Sequence, residues 1–198
     1  MRMSIPFGAY SPDHAQHMTD GLMTCDGVYA SANGYRPVKA FSEIADALAG
    51  TFKGGAAFIA SDGTARMLAG DGTDLYVLSS GTWTSVLGSL TVEDRWRFTQ
   101  FGDDIICTNG GAPVSYDLVA GTAGNLAGSP PVADLCATVR DFVILGRTSG
   151  SNQLVRSSKQ GDAETWATGN SDGADEIPLY SGGKLMGLAG GEYGLLIQ

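Results

Sequence analysis

From residue 58 onward, compact apolar runs alternate with breaks rich in glycine and aspartate. The clearest runs lie in GTDLYVLSS (72–80), FGDDIICTN (101–109), VRDFVILGR (139–147) and GGEYGLLIQ (190–198). An acidic residue stands immediately before each run: Asp74 before Leu75, Asp104 before Ile105, Asp141 before Phe142 and Glu192 before Tyr193. Each is preceded by a plausible hairpin partner, at 65–69, 95–100, 135–139 and 184–189. A more polar strand follows the first three, at 83–87, 112–119 and 153–158. This is an internal repeat of short antiparallel strands.

The runs Leu75-Tyr76-Val77-Leu78 and Phe142-Val143-Ile144-Leu145 do not alternate with polar residues. A strand with one wet face alternates, whereas a strand packed on both faces is apolar throughout. Among antiparallel all-β folds, a β-propeller blade sandwiched between two neighbours provides that environment. The runs recur at spacings of roughly 30–50 residues, bracketing the roughly 40–45 of a four-stranded blade. The pattern therefore predicts an all-β propeller with about four blades represented, the last incomplete. Because the final run reaches Gln198 with no partner strand after it, either the chain is part of a longer propeller with further strands, the favoured expectation, or another segment pairs with that run.

Residues 1–57 read as an irregular segment leading into blades at 58–198. Asn33-Gly34-Tyr35-Arg36-Pro37 predicts a turn with an extended exit. Residues 42–49 predict one or two helical turns, with Ser42 as N-cap and Gly50 as the stop.

Composition supports this picture. Glycine accounts for 29 of 198 residues, and so many positions able to take positive φ imply many tight turns. Hydrophobic residues make up 43% and charged residues 17%, the balance of a folded chain. No stretch approaches the roughly 18–20 apolar residues of a helical membrane span, and no signal-peptide pattern opens the chain, so no membrane anchor is expected. Cys25, Cys107 and Cys136 are odd in number and widely separated, as expected of reduced thiols in a protein assembled in a cytoplasm. The net charge of −9, with no cluster of Lys and Arg, argues against gripping nucleic acid.

Candidate chemistry is sparse. His14 and His17, with Asp13 and Asp20 nearby, form an HxxH pair that lacks a further ligand and reads as a solvated loop. The acidic groups Asp71/Asp74, Asp103/Asp104 and Asp172/Asp175/Glu176 do not match a calcium loop and read as turn residues. Gly54-Gly55, Gly110-Gly111 and Gly190-Gly191 lack the lysine and spacing of a phosphate loop and also read as turns. No catalytic, metal or cofactor-binding residue is assigned. Trp83, Trp96 and Trp166 are expected to fill seams between blades. The alternative for them is a sugar-stacking platform, since Thr82-Trp83 and Thr165-Trp166 resemble the end of a degraded Asp-box turn.

The order of features resembles the packaged-DNA stabilisation and tail-nozzle proteins (tail tubular protein B-like) of short-tailed phages. The resemblance rests on residues 33–37, 69–76, the Trp83 strand, 95–103, 108–110, 131–133, 139–143, the Trp166 turn and 190–194. It implies a non-enzymatic virion protein of the tail, forming a homo-oligomeric ring of about six propeller subunits below the portal and its adaptor. Such a ring would continue the DNA channel, let DNA pass without specific binding, and help retain the genome until ejection. The competing expectation is a glycan-binding or glycan-cleaving propeller of a receptor-binding tail protein, which would need carboxylates facing each other across a cleft.

Overall fold

A computed structural model describes residues 8–15, 17, 18, 21, 22, 24–31, 34–40, 42–169, 173–180 and 182–197. Asn33, Asp20, Asp172 and Gln198, which entered the sequence readings above, lie outside the described residues. The described residues contain strands and turns and no helix. They form two compact units, Met1–Glu43 and Ile44–Gln198.

The first unit holds a two-stranded hairpin, β1 (Val28–Ser31) with β2 (Gly34–Pro37), in which Tyr29 pairs with Arg36. An isolated parallel bridge joins Tyr10 to Leu22. The Tyr35 hydroxyl donates to the carbonyl of Gly8 at 3.5 Å.

The second unit contains three four-stranded antiparallel sheets, each a simple up-and-down meander. The first comprises β3 (Gly54–Ile59), β4 (Ala65–Gly70), β5 (Leu75–Ser79) and β6 (Thr82–Leu87). The second comprises β7 (Arg97–Phe101), β8 (Asp104–Thr108), β9 (Val114–Asp117) and β10 (Thr122–Asn125). The third comprises β11 (Ala133–Val139), β12 (Phe142–Thr148), β13 (Leu154–Ser157) and β14 (Glu176–Pro178). A two-stranded sheet follows, β15 (Gly187–Ala189) with β16 (Leu195–Ile197). None of the described sheets closes on itself.

The sheets stack in sequence order. First strands adjoin first strands (β3 with β7, β7 with β11, β11 with β15), and the fourth strand β6 adjoins β10. Two hydrophobic seams join the three large sheets. Leu68, Leu75 and Val77 of the first sheet meet Ile105, Cys107, Val114 and Tyr116 of the second. Ile106 of the second sheet meets Cys136, Val143 and Leu145 of the third. A third, smaller cluster gathers Leu135 and Val155 with Leu185, and packs Ile144 and Leu188 against them. Consecutive residues of β8 and of β12 thus enter opposite seams, which is why these strands lack a polar face.

The apolar runs occupy different places in their sheets. Asp104-Ile105 and Asp141-Phe142 open or adjoin the second strand, whereas Asp74-Leu75 adjoins the third. The cause is β3. Its small residues, Gly54-Gly55-Ala56-Ala57, carry little strand signal, so the first sheet starts at Gly54 and the expected boundary between residues 57 and 58 falls inside a strand. The same observation corrects the reading of Gly54-Gly55 as a turn. Glu192 and Tyr193 lie between β15 and β16, and the strand starts at Leu195. The helical turns expected at 42–49 do not form. Asp46 instead gives its N–H to the carbonyl of Gly81 and accepts from the Thr82 hydroxyl at 3.4 Å. With Ile44 69% exposed, the segment has no buried apolar face to offset helix nucleation.

Candidate functional site

The three tryptophans have three different settings. Trp96 is 4% exposed in the seam between the first and second sheets. It stacks on Phe98 with ring centroids 6.1 Å apart and planes 16° apart, and its Nε1–H donates to the carbonyl of Asp71 at 2.9 Å. Gly54 and Gly70 give it room: a Cβ at Gly70 would overlap the indole, and one at Gly54 would press on the Trp96 backbone. Trp166 is 1% exposed in the seam between the second and third sheets. Its Nε1–H donates to the carbonyl of Ala163 at 2.8 Å. Trp83, expected to fill a seam, is not in the seam with the second sheet; it lies on the opposite face of the first sheet, paired with Leu78 across β5 and β6.

The turn that carries Trp166 is fixed by Asp162. Its carboxylate accepts from the N–H of Glu164 and from the Thr165 hydroxyl, both at 2.8 Å. Those two bonds hold its pKa below the usual carboxylate range. The signal Gly161-Asp162-x-x-Thr165 is a recognisable Asx turn, and it lies upstream of the Thr-Trp pair.

Asp71 is a buried acid, 4% exposed. Burial acts to raise its pKa, but the N–H groups of Thr73 and Asp74 at 2.8 Å and the Tyr76 hydroxyl at 2.9 Å outweigh that and lower it. Burial first, then the bond to Asp71, pushes Tyr76 up to about 12. This is a turn clamp: one carboxylate oxygen takes both N–H groups and the other takes the Tyr76 hydroxyl.

The repeat acids diverge in role. Asp74 accepts from the Ser85 hydroxyl at 3.1 Å and the Ser89 N–H at 3.4 Å. Asp104 sits opposite Asp117 across β8 and β9; burial, then the charges of Asp117, Glu164 and Asp103, raise its pKa. Asp141 accepts from the Gln160 amide at 3.4 Å. Glu192 pairs with Arg140, whose guanidinium also lies 5.7 Å from the centre of the Tyr193 ring.

A charged cluster, not anticipated from the sequence, ties the second sheet to the third. Arg97 contacts Asp94 at 3.2 Å and donates to the carbonyl of Asp134 at 2.9 Å, while Arg147 pairs with Asp134 and approaches Asp94 at 3.8 Å. Burial works to raise the Asp94 pKa; the Arg95 N–H, the Arg97 bond and the two guanidinium charges bring it below the usual value. Asp94 and Arg97 are near neighbours in the chain, but Asp134 and Arg147 belong to the next sheet, so no local motif announces the four together. Two solvent-open cavities adjoin the cluster. One, of about 770 Å³, is lined by Phe52, Lys53, Glu93, Asp94, Arg95 and Trp96 among others. The second, of about 370 Å³, includes Glu93, Asp134, Arg147 and Asn152.

Trp83 lines a separate cavity of about 270 Å³ with Phe52, Met67 and small residues, and none of its lining is acidic. Trp166 lines none of these cavities. His14 and His17 are exposed. Among the described residues, no group of three His, Cys, Asp or Glu side chains is placed to hold a metal. The three thiols are unpaired; burial raises the pKa of Cys107 well above its usual value and that of Cys136 to about 11, while Cys25 is only partly covered.

No protein-family model matches this chain, and neither does any curated protein.

Proposed function

We propose that this chain supplies blades of a β-propeller with a structural, non-enzymatic role in a phage tail, as part of a nozzle or head-closure ring. The observation that carries the reading is the stack itself. Successive four-stranded meanders pack face to face, with first strands adjoining in chain order, and that is how blades succeed one another around a propeller. On this reading the subunits form a homo-oligomeric ring, about six by the family resemblance, which meets a portal adaptor or other tail proteins in the virion. DNA passes through without sequence-specific contacts, in keeping with the net charge of −9.

The glycan-binding or glycan-cleaving alternative has less support. Trp96 stands beside acids at a cavity, but Phe98 stacks on its ring, and the cavity that Trp83 lines holds no acidic residue. Electron cryo-microscopy of the purified protein tests the proposal: class averages with rotational symmetry and a central opening are expected. A stable monomer that binds oligosaccharide would overturn it.

A further inference from the structure

Beside the charged cluster of Asp94, Arg97, Asp134 and Arg147, the cavity of about 370 Å³ lies between the second and third sheets. Its walls come from the residues that lead into β7, the turn between β8 and β9, and the β11–β12 pair with the turn that follows it. Backbone bonds fix these walls to one another. The carbonyl of Asn109 accepts from the N–H groups of Glu93 at 3.0 Å and Asp94 at 2.8 Å, and the Asn109 side chain accepts from the N–H of Gly111 at 2.8 Å. Gly110 gives its N–H to the carbonyl of Ala133 at 3.0 Å. The cavity is therefore preformed, which spares a ligand the cost of ordering its site.

Charge in this lining is unevenly matched. Arg147 already pairs with Asp134 through the Oδ2 oxygen. The Oδ1 oxygen of Asp134 and the carboxylate of Glu93 accept no hydrogen bond among the described residues. Both flank Gly110, where φ is +88° and where a Cβ would sit 3.0 Å from Asp134 Oδ1 and 3.0 Å from Glu93 Cβ. Glycine there keeps the space between the two acids clear. Lys53 and Arg95 line the neighbouring cavity, and among the described residues neither pairs with Glu93. The Lys53 ammonium donates instead to the carbonyl of Val92 at 3.2 Å. Thr91, Ser151 and Asn152 add neutral polar groups to the lining.

We infer that this cavity binds a primary ammonium group, with Glu93 and Asp134 Oδ1 as its acceptors. Two carboxylates against one guanidinium leave the lining one negative charge in excess. An ammonium supplies one positive charge and three N–H donors on a slender stem. A metal ion is a poorer match, because among the described residues no third acidic, His or Cys side chain joins these two to complete a ligand set. A free aliphatic amine and the lysine side chain of a partner protein present the same group. The site lies within one chain and stands independently of the ring reading.

The test is an NMR titration of the full chain at pH 7 and constant ionic strength, following the backbone N–H signals of Gly110 and Gly111 and the side-chain amide of Asn152. The probes are putrescine, a lysine with both termini blocked, and the same lysine with its side-chain amine acetylated. The two amines are expected to shift these signals saturably, with millimolar affinity as befits one ion pair beside solvent. The acetylated probe, which lacks the charge, should leave them in place. Glu93→Gln should weaken binding at least about tenfold, the scale of one charge-assisted hydrogen bond. Glu164→Gln, at an exposed acid outside the cavity, should leave it unchanged. Tighter binding of the blocked lysine than of putrescine would identify a partner's side chain as the source, and the reverse a free amine. Signals that do not saturate, that shift equally in Glu93→Gln, or that respond equally to the acetylated probe would each overturn the inference.

Discussion

At the scale of single residues, Asp71 and Asp162 each hold a turn through side-chain bonds to the groups that follow them. Asp71 gathers two backbone N–H groups and the Tyr76 hydroxyl beside the Trp96 indole. Asp71→Ala would leave those donors unpaired in a buried turn and should cost about 1–3 kcal/mol in urea denaturation at pH 7. Because the folded pKa of Asp71 is depressed, its contribution is fully present above the unfolded value near 3.8. It is lost as pH falls through the folded value. The wild-type urea midpoint should therefore drop more steeply than that of Asp71→Asn between about pH 4 and pH 2. Trp166, sealed between the second and third sheets and hydrogen-bonded to Ala163, should be the costliest single truncation. Trp166→Ala is expected to lose about 3–5 kcal/mol, read by the same denaturation.

At the scale of strands and sheets, Gly70 and Trp96 form one packing unit. Gly70→Ala drives a methyl into the indole and should destabilise by about 1–3 kcal/mol, with a shift in tryptophan fluorescence. The thiols report on the same seams. Cys107 and Cys136 are buried with raised pKa values, so a maleimide should label Cys25 alone in the native protein and all three after unfolding. Strands whose side chains are large were legible in the sequence. The unbroken apolar run at 142–145 announced a strand covered on both faces, and β12 does send consecutive residues into opposite seams; the run at 75–78 announced the same of β5, whose Leu75 and Val77 enter the seam with the second sheet while Tyr76 and Leu78 face away from it. The strand β3 was not legible, because its small residues carry little strand signal and Gly54 and Gly55 serve close approaches to Trp96 and to Leu68; its absence from the pattern shifted the first repeat by one strand. The cluster of Asp94, Arg97, Asp134 and Arg147 was equally silent, since its members meet only after two sheets have stacked. The helical turns expected at 42–49 fail for a related reason: a capping signal is weak when no apolar face stands behind it.

At the scale of the whole molecule, the account rests on four-stranded sheets that succeed one another in chain order. Acidic charge spread over such an assembly predicts no retention of double-stranded DNA in a gel-shift assay at about 0.1 M salt, since few phosphates could be neutralised. The most direct test of the central claim is native mass spectrometry of the purified protein. The account predicts a discrete closed oligomer, with about six subunit masses favoured by the family resemblance. A single subunit mass persisting at high protein concentration, with added oligosaccharide bound to it, would contradict the account.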